Sequence, residues 1–336
     1  HKVCWFMIKF RLILLVLVFS SSCERYSSSL PKNIEFNFMF ETELRPHSIA
    51  IERENGWVYV ASYNPSISNP VAMIQRLDSY GNEQGAIDFY SFSNGEYPHY
   101  APIDLCIDNE KKLYVLAKPY YKEDSYYVPF GVYSILQFDL NFGYYQEFEI
   151  PDTTRRQFYT SLACTDKYLY ATGGSIIKVI SKNGELVSEI IPSSYSEVLD
   201  SLSFLYVSDM EISSNEIFYL TGDVPSQDNI TGWYIAKLDP ESGILTMINS
   251  QSTGILAAAR NNPGLDIDKD GNPYLVTGYE KSLEVYNSHL VLVKEVDIRI
   301  PNGDEDTRPV DAALYNSRIY ICDNYDGHVG VFDISY

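Results

Sequence analysis

The chain has 336 residues and a formal net charge of −20 at pH 7, with 45 acidic residues against 25 Lys and Arg. Binding to phosphate backbones depends on Lys and Arg that release counterions, so we expect no nucleic-acid partner. The length fits either one large repeat domain or two ordinary domains.

The first 22 residues indicate an export signal. Lys9 and Arg11 precede an apolar run over residues 12–19, which is too short for a bilayer core that needs about 20 apolar residues. A basic start, a short apolar run and small residues before a cleavage site are typical of a secretory signal. Because the serines at 20–22 lead directly into Cys23, the segment resembles a bacterial lipoprotein signal. An ordinary signal peptide is the alternative.

The lipoprotein resemblance implies cleavage of residues 1–22 and lipidation of Cys23. Residues 23–33 are short, polar and serine-rich, which predicts a flexible tether. We therefore expect the protein in a bacterial cell envelope, at the outer membrane or cell surface, with the lipid anchor as its only contact with a membrane.

Residues 34–336 repeat a short strand-like motif with a tyrosine at its centre. The copies lie 55, 56, 49, 55 and 46 residues apart, which gives about six similar units. A period near 50 residues is typical of propellers and solenoids. The six tyrosines are Tyr59, Tyr114, Tyr170, Tyr219, Tyr274 and Tyr320.

Each unit contains the pattern of four strands. An apolar strand such as 102–107 is followed by a turn rich in Asn, Asp and Gly, which tolerate the positive φ of hairpins. The tyrosine strand comes next, then an alternating strand such as 135–139, and then a more polar strand such as 146–150. This order predicts an all-β fold, a six-bladed β-propeller of four-stranded antiparallel blades.

The two ends of the repeat region complement each other. The sixth unit reaches Tyr336 without a fourth strand, while a strand at about residues 34–40 has no blade of its own. An unclosed ring would expose sheet edges that invite aggregation. We therefore predict that the N-terminal strand completes the last blade and closes the ring.

The sixth unit carries the most distinctive motifs, at residues 309–313, 318–323 and 328–333. With them the chain resembles the NHL-type six-bladed β-propellers over about residues 34–336. The resemblance implies a scaffold and not an activity, because such propellers include binding modules, surface lipoproteins, lactonases and lyases.

Beyond Cys23, three cysteines lie within apolar strand patterns: Cys106, Cys164 and Cys322. Free cysteine behaves as a small apolar residue. We expect buried thiols and no disulfide framework.

Long aromatic insertions connect the second and third strands of several units and also connect successive units. Both kinds of connection lie on one face of a propeller, and loops on a rigid scaffold usually carry binding. Tyrosine combines apolar area with a hydroxyl group, which suits protein or glycan contacts. The alternative is that these rings merely cover the top of the ring. The predicted binding face comprises Tyr97, Tyr100, Tyr120, Tyr121, Tyr126, Tyr127, Phe158, Tyr159 and Trp233.

Asp104, Asp209 and Asp311 begin the innermost strands of alternate units and therefore lie around the channel mouth. Carboxylates in this arrangement are candidate ligands for a calcium ion. The alternative is that each aspartate caps backbone N–H groups. No Ser/His/Asp set is recognisable by its spacing, so we assign no catalytic residues and no cofactor other than this candidate calcium.

These patterns together predict a lipid-anchored envelope propeller that is a non-enzymatic binding or scaffold module. Its partner would be an envelope protein, peptide or glycan held by the aromatic loop face. The alternative is a metal-dependent hydrolase or lyase with a cation at the channel mouth.

Overall fold

The computed structural model describes residues 30–64, 71–89, 99–123, 126–129, 132–151, 158–174, 176–192, 206–225, 230–252, 263–278, 281–299, 308–325 and 327–336. These residues form six antiparallel sheets arranged as a six-bladed β-propeller, which confirms the predicted fold class. Within the described ranges, no helix is long and apolar enough to span a membrane. The predicted signal segment, Cys23 and most of the predicted tether lie outside these ranges.

The strands follow the blades in chain order, and strand β1 (Asn33–Glu41) precedes blade 1. Blade 1 contains β2 (Pro46–Glu52), β3 (Trp57–Asn64), β4 (Val71–Leu77) and β5 (Glu83–Asp88). Blade 2 contains β6 (His99–Ile107), β7 (Lys112–Glu123), β8 (Tyr126–Pro129), β9 (Ser134–Asp139) and β10 (Tyr144–Glu149). Blade 3 contains β11 (Ser161–Cys164), β12 (Tyr168–Gly173), β13 (Ile176–Ser181) and β14 (Leu186–Ile190).

The remaining three blades complete the ring. Blade 4 contains β15 (Tyr206–Ile212), β16 (Phe218–Pro225), β17 (Ile230–Asp239) and β18 (Ile244–Ser252). Blade 5 contains β19 (Gly264–Ile267), β20 (Pro273–Thr277), β21 (Ser282–Tyr286) and β22 (Leu292–Asp297). Blade 6 contains β23 (Pro309–Tyr315), β24 (Arg318–Asp323) and β25 (His328–Ser335).

Burial follows the predicted gradient of polarity across each blade. The third strands β9 and β21 are buried almost throughout, because neighbouring blades cover both of their faces. The outer strands β14 and β22 are mostly exposed or alternate between exposed and half-buried residues. The sequence pattern of each blade therefore reflects its radial position.

The N-terminal strand closes the ring as predicted. β1 pairs antiparallel with β25, so that Ile34 lies opposite Ile334 and Phe40 lies opposite Val329. All four side chains are buried. This pairing supplies the fourth strand of blade 6.

The repeated tyrosines are scaffold residues that connect adjacent blades. Each is at most 9% exposed. In three of them the hydroxyl group donates to a backbone carbonyl in a turn of the next blade. These bonds are Tyr59 to Leu140 (2.8 Å), Tyr219 to Gly271 (2.8 Å) and Tyr320 to Ser79 (3.2 Å).

Cys106, Cys164 and Cys322 are all free thiols. Cys322 is fully buried, whereas Cys106 and Cys164 are half-buried on neighbouring blades. Burial raises the pKa of the Cys106 and Cys322 thiols well above the usual value. The prediction of buried thiols is thus met fully by Cys322 and partly by the other two.

Candidate functional site

The ring has two unlike faces. The innermost strand of each blade runs away from the face that carries the links between blades, which we call the loop face. The opposite face carries the tight turns between first and second strands, such as 53–56 in blade 1, and between third and fourth strands, such as 140–143 in blade 2. We call it the turn face.

Among the described residues, the second strand of blade 3 ends earlier on the loop face than the second strands of the neighbouring blades 2 and 4. The register pairs Leu116 of β7 with Asp104, and Thr172 of β12 with Ser161, so Leu116 and Thr172 occupy equivalent levels. β12 ends directly after this level, whereas β7 continues to Glu123. At about 3.3 Å per residue, this difference corresponds to roughly 20 Å of additional strand. In blade 4, β16 also continues past the equivalent residue Thr221, to Pro225.

The extended part of β7 pairs with β8 and forms a hairpin arm on blade 2. Tyr120 lies opposite Pro129 and Glu123 lies opposite Tyr126. The sequence predicts a loop connection in this region, and the structure corrects this to paired strands. β7 and β8 pair locally, which does not require the apolar alternation of a core strand.

A lysine lies among aromatic rings at the base of this arm. The Lys118 Nζ atom is 5.1 Å from the centre of the Phe158 ring, 5.6 Å from that of Tyr120 and 5.7 Å from that of Tyr133. The Tyr133 ring packs edge-on against Tyr159, with 5.4 Å between the ring centres. We call these five residues the Lys118 patch.

The Lys118 ammonium group has no hydrogen bond or ion pair with any residue that the structure describes, whereas the Lys118 backbone pairs with Ala101 of β6. Burial lowers the pKa of its ammonium group, because a half-buried cation loses hydration. Ring faces compensate in part, since their quadrupoles attract a cation within about 6 Å. The patch therefore holds a positive charge that the described protein leaves without a carboxylate partner.

The predicted aromatic binding face proves to be heterogeneous. Phe158 is 60% exposed, whereas Tyr159 and Trp233 are only 2% and 8% exposed. The Tyr100 hydroxyl donates to Glu147 (2.6 Å), and Tyr100 and Tyr120 are both half-buried. Tyr121 lies in β7, Tyr126 and Tyr127 lie in β8, and Tyr97 lies outside the described residues.

Further rings support the patch from the side of blade 1. Tyr63 lies 5.6 Å from Tyr120 and 6.3 Å from His47, measured between ring centres. The His47 ring contacts the Tyr63 carbonyl (3.2 Å), and burial lowers the pKa of His47. His47 is therefore a neutral packing residue of the loop face.

The three predicted aspartates join neighbouring blades. Asp104 accepts hydrogen bonds from the Ser48 hydroxyl of blade 1 (2.6 Å), from the Leu105 N–H group (2.8 Å) and from the Leu162 N–H group of blade 3 (2.6 Å). Each of its two oxygens has at least one donor. Its carboxylate thus connects three consecutive blades.

Asp209 and Asp311 repeat this arrangement. Asp209 accepts from the Ser161 hydroxyl (2.8 Å), the Met210 N–H group (2.7 Å) and the Leu265 N–H group (2.7 Å). Asp311 accepts from the N–H groups of Ile49 and Ala312, both at 2.8 Å. These bonds match the capping alternative, and no three acidic, His or Cys side chains in the described ranges are grouped to hold a metal ion.

Burial and mutual repulsion raise the carboxyl pKa values around the channel. The pKa of Asp104 rises to about 7, chiefly through burial and then through the charge of Asp209. The same causes raise the pKa of Asp311 well above its usual value, and burial raises that of Asp209. N–H donors oppose these shifts without cancelling them.

A cavity of about 700 Å³ occupies the turn-face end of the channel. The first strand of each blade contributes one residue at the same level of the channel wall. Four of these residues are small and two are acidic: Ala50, Cys106, Ala163, Glu211, Asp266 and Ala313. Burial and neighbouring carboxylates raise the pKa of Glu211 well above its usual value, and burial raises the pKa of Asp266 to about 6. Neither acid is among the site residues predicted from the sequence, although an alignment of the first strands would show Glu211 and Asp266 where the other blades have Ala or Cys.

Comparison with known proteins supports the fold and no more. No protein-family model matches the sequence, and no curated protein matches it. A virginiamycin B lyase from Staphylococcus aureus is similar in structure, with a TM-score of 0.54 and 10% identity over 90% of this chain and 100% of that chain. Hydrazine synthase from Kuenenia stuttgartiensis gives 0.53 and 13% identity over 87% of this chain and 96% of that chain.

Raptor from Chaetomium thermophilum gives a TM-score of 0.54 and 10% identity over 90% of this chain, which spans only 29% of that protein's length. At identities of 10–13%, these likenesses extend to the backbone architecture alone. What the chain shares with all three is the β-propeller fold.

Proposed function

We propose that this chain is a lipid-anchored, non-enzymatic binding module of a bacterial cell envelope, which holds an envelope protein, peptide or glycan on its loop face. The observation that carries the proposal is the Lys118 patch, where an exposed aromatic ring lies beside an ammonium group that has no carboxylate partner among the described residues. The longer second strands of blades 2 and 4 would flank a ligand seated there.

Part of the patch lies on a paired strand, which favours binding. Lys118 and Tyr120 belong to a strand that is paired on both sides, and Tyr159 is fully buried beneath the exposed Phe158. A preorganised aromatic surface loses little conformational entropy when a ligand is bound. Exposed Phe and half-buried Tyr side chains are also typical of the central part of interfaces.

The alternative of a metal-dependent hydrolase or lyase has less support. In Asp104, Asp209 and Asp311, both carboxylate oxygens accept hydrogen bonds from N–H or hydroxyl groups, most of which belong to neighbouring blades. The lyase among the structural neighbours is similar in backbone fold only. Turnover of lactone or ester substrates that depends on calcium would favour this alternative over a binding module.

The proposal is tested by arrays of immobilised glycans and peptides, probed with the wild type and two variants. Phe158→Ala removes an exposed ring from the patch, and Tyr145→Ala removes a ring of matching 59% exposure from the outer strand β10. We expect Phe158→Ala to weaken binding about tenfold or more, equivalent to about 1.4 kcal/mol. Tyr145→Ala should bind like the wild type. Equal losses in both variants, or no wild-type binding to either array, would contradict the proposal.

A further inference from the structure

We infer that the loop face binds an acidic sugar, and that Lys118 Nζ pairs with the single carboxylate of that sugar while Phe158 contacts its ring. This inference rests on the proposed binding function and assigns the chemical class of its ligand. Lys118 is then the residue that determines specificity.

No carboxylate among the described residues pairs with Lys118. Lys178 and Lys182 are also removed from water, and each pairs with a carboxylate, Glu189 and Asp108 respectively. Lys118 has no such partner among the described residues, although the chain carries an excess of acidic side chains. Burying an ammonium group without an anion is unfavourable, so a ligand carboxylate would supply an interaction that the described residues do not provide.

Aromatic rings surround the Lys118 ammonium group. Nζ lies within 5.7 Å of three ring centres, and the Phe158 ring is open to solvent. A pyranose ring is amphipathic: its C–H face packs on an aromatic ring while its hydroxyl groups stay hydrated. An exocyclic carboxylate at the edge of such a sugar would face the neighbouring ammonium group.

The net charge of the chain limits how many negative charges a ligand can carry. The chain has a net charge of −20, and repulsion from it disfavours a long polyanion. A sugar with one carboxylate meets the local positive charge and escapes most of this repulsion. We therefore assign a single acidic sugar, of the uronic acid type, as the unit that is recognised.

The test is isothermal titration calorimetry with three probes. These are a trisaccharide that ends in glucuronic acid, the same trisaccharide with that carboxyl group reduced to the alcohol, and a tripeptide with one carboxylate side chain and an amidated C-terminus. The proteins are the wild type, Lys118→Met, Lys118→Arg and Lys237→Met. Lys237 is a matched control, because its Nζ also lies over a tyrosine ring (5.1 Å from the centre of Tyr219) but bonds to the Ser288 carbonyl.

We expect the wild type and Lys237→Met to bind the acidic trisaccharide equally. Reduction of the carboxyl group and Lys118→Met should each weaken binding about tenfold or more, while Lys118→Arg keeps most of it. Affinity should also fall as the pH is raised through the lowered pKa of Lys118, since only the ammonium form pairs with the carboxylate. The reduced sugar tests the inference on the wild type, so a misfolded variant would not leave it undecided.

Three results would overturn the inference. Equal binding of the acidic and reduced sugars, with a loss in Phe158→Ala, would leave the binding face intact and remove its acid specificity. Tighter binding of the tripeptide than of the acidic trisaccharide would show that the carboxylate recognised by Lys118 belongs to a peptide and not to a sugar. Absence of binding to every probe would also reject the acidic sugar, and the arrays would then decide separately whether the loop face binds anything.

Discussion

Single polar side chains connect adjacent blades at both faces of the ring. Near the loop face the aspartates accept N–H groups from the following blade, as Asp209 does from Leu265. Near the turn face the tyrosine hydroxyl groups donate to the next blade, as Tyr219 does to the Gly271 carbonyl. Aspartates of blades 2, 4 and 6 and tyrosines of blades 1, 4 and 6 thus form polar links to the next blade, and apolar packing fills the space between the blades.

Tyr219→Phe should lower the free energy of unfolding by about 1 kcal/mol, the usual net value of one such hydrogen bond. The ring and its packing are kept, so only the bond to Gly271 is lost. Urea unfolding followed by fluorescence measures the change, and Tyr145→Phe on the exposed strand β10 is the control. A Tyr219→Phe protein as stable as the wild type would show that this hydroxyl does not help to join blades 4 and 5.

At the level of elements, the closing strand β1 joins the two ends of the described chain. Its side chains alternate, with Ile34 buried against Phe332 and Ile334 while Glu35 is exposed. Among the described strands β1 pairs only with β25, so the packing of its apolar face contributes much to holding it in place. Loss of this strand would expose the edge of β25 and permit association between molecules.

Ile34→Asp should destabilise the protein by about 3 kcal/mol, since it removes a buried side chain and places a carboxylate in an apolar cluster. Thermal unfolding measures the loss, and size-exclusion chromatography detects association through the exposed edge. Glu35→Ala on the exposed side of the same strand should have little effect. If Ile34→Asp unfolds like Glu35→Ala, β1 does not hold the ring closed.

The blades and their closure could be predicted because both depend on regular local patterns. Tyr59 and its five counterparts mark the second strands, and the unpaired strand at residues 34–40 matches the missing strand of the last blade. The arm of blade 2 escaped prediction, because Pro119 and Pro129 interrupt a segment without core-like alternation. Its pairing comes from contact between its own two halves.

The candidate site was only partly predictable for a different reason. The sequence places Tyr120 and Phe158 among the aromatic residues of the predicted loops. Which of these rings are exposed depends on packing between blades 2 and 3. Lys118 gave no signal in the sequence, because its significance depends on Phe158, forty residues later in the chain, and on the absence of a described carboxylate partner. Properties that arise from such distant contacts need the folded ring.

For the whole molecule, the dominant electrostatic feature is a set of buried and half-buried carboxyl groups around the channel. The pKa of Asp104 is raised to about 7 and that of Asp266 to about 6, against an ordinary value of 3.8. Between pH 4 and pH 7 these two groups therefore bind more protons in the folded chain than in the unfolded chain. Their contribution to stability is greatest at the acidic end of this window and falls as the pH rises through the raised pKa values.

Glu211 is the group in this set best suited to a test, because its carboxylate has no hydrogen-bond partner among the described residues and Gln at this position breaks no bond. Burial and the charges of Asp266 and Asp209 raise its pKa well above the usual value, so its ionised form opposes folding. Glu211→Gln should raise the free energy of unfolding at pH 8 by at least about 1 kcal/mol, since each pKa unit corresponds to about 1.4 kcal/mol. At pH 5, where the folded chain keeps this carboxyl protonated, the variant should differ little from the wild type.

Urea unfolding at pH 5 and pH 8 measures both effects, and Glu216→Gln is the control, because it removes one exposed charge from the rim of the same cavity. That control should change stability slightly and by similar amounts at the two pH values, as expected for general repulsion in an acidic chain. A Glu211→Gln effect of the same size at pH 5 and pH 8 would assign the pH dependence to the surface charge. A difference confined to pH 8 would assign it to the buried carboxyl groups, which the six blades bring together around one axis.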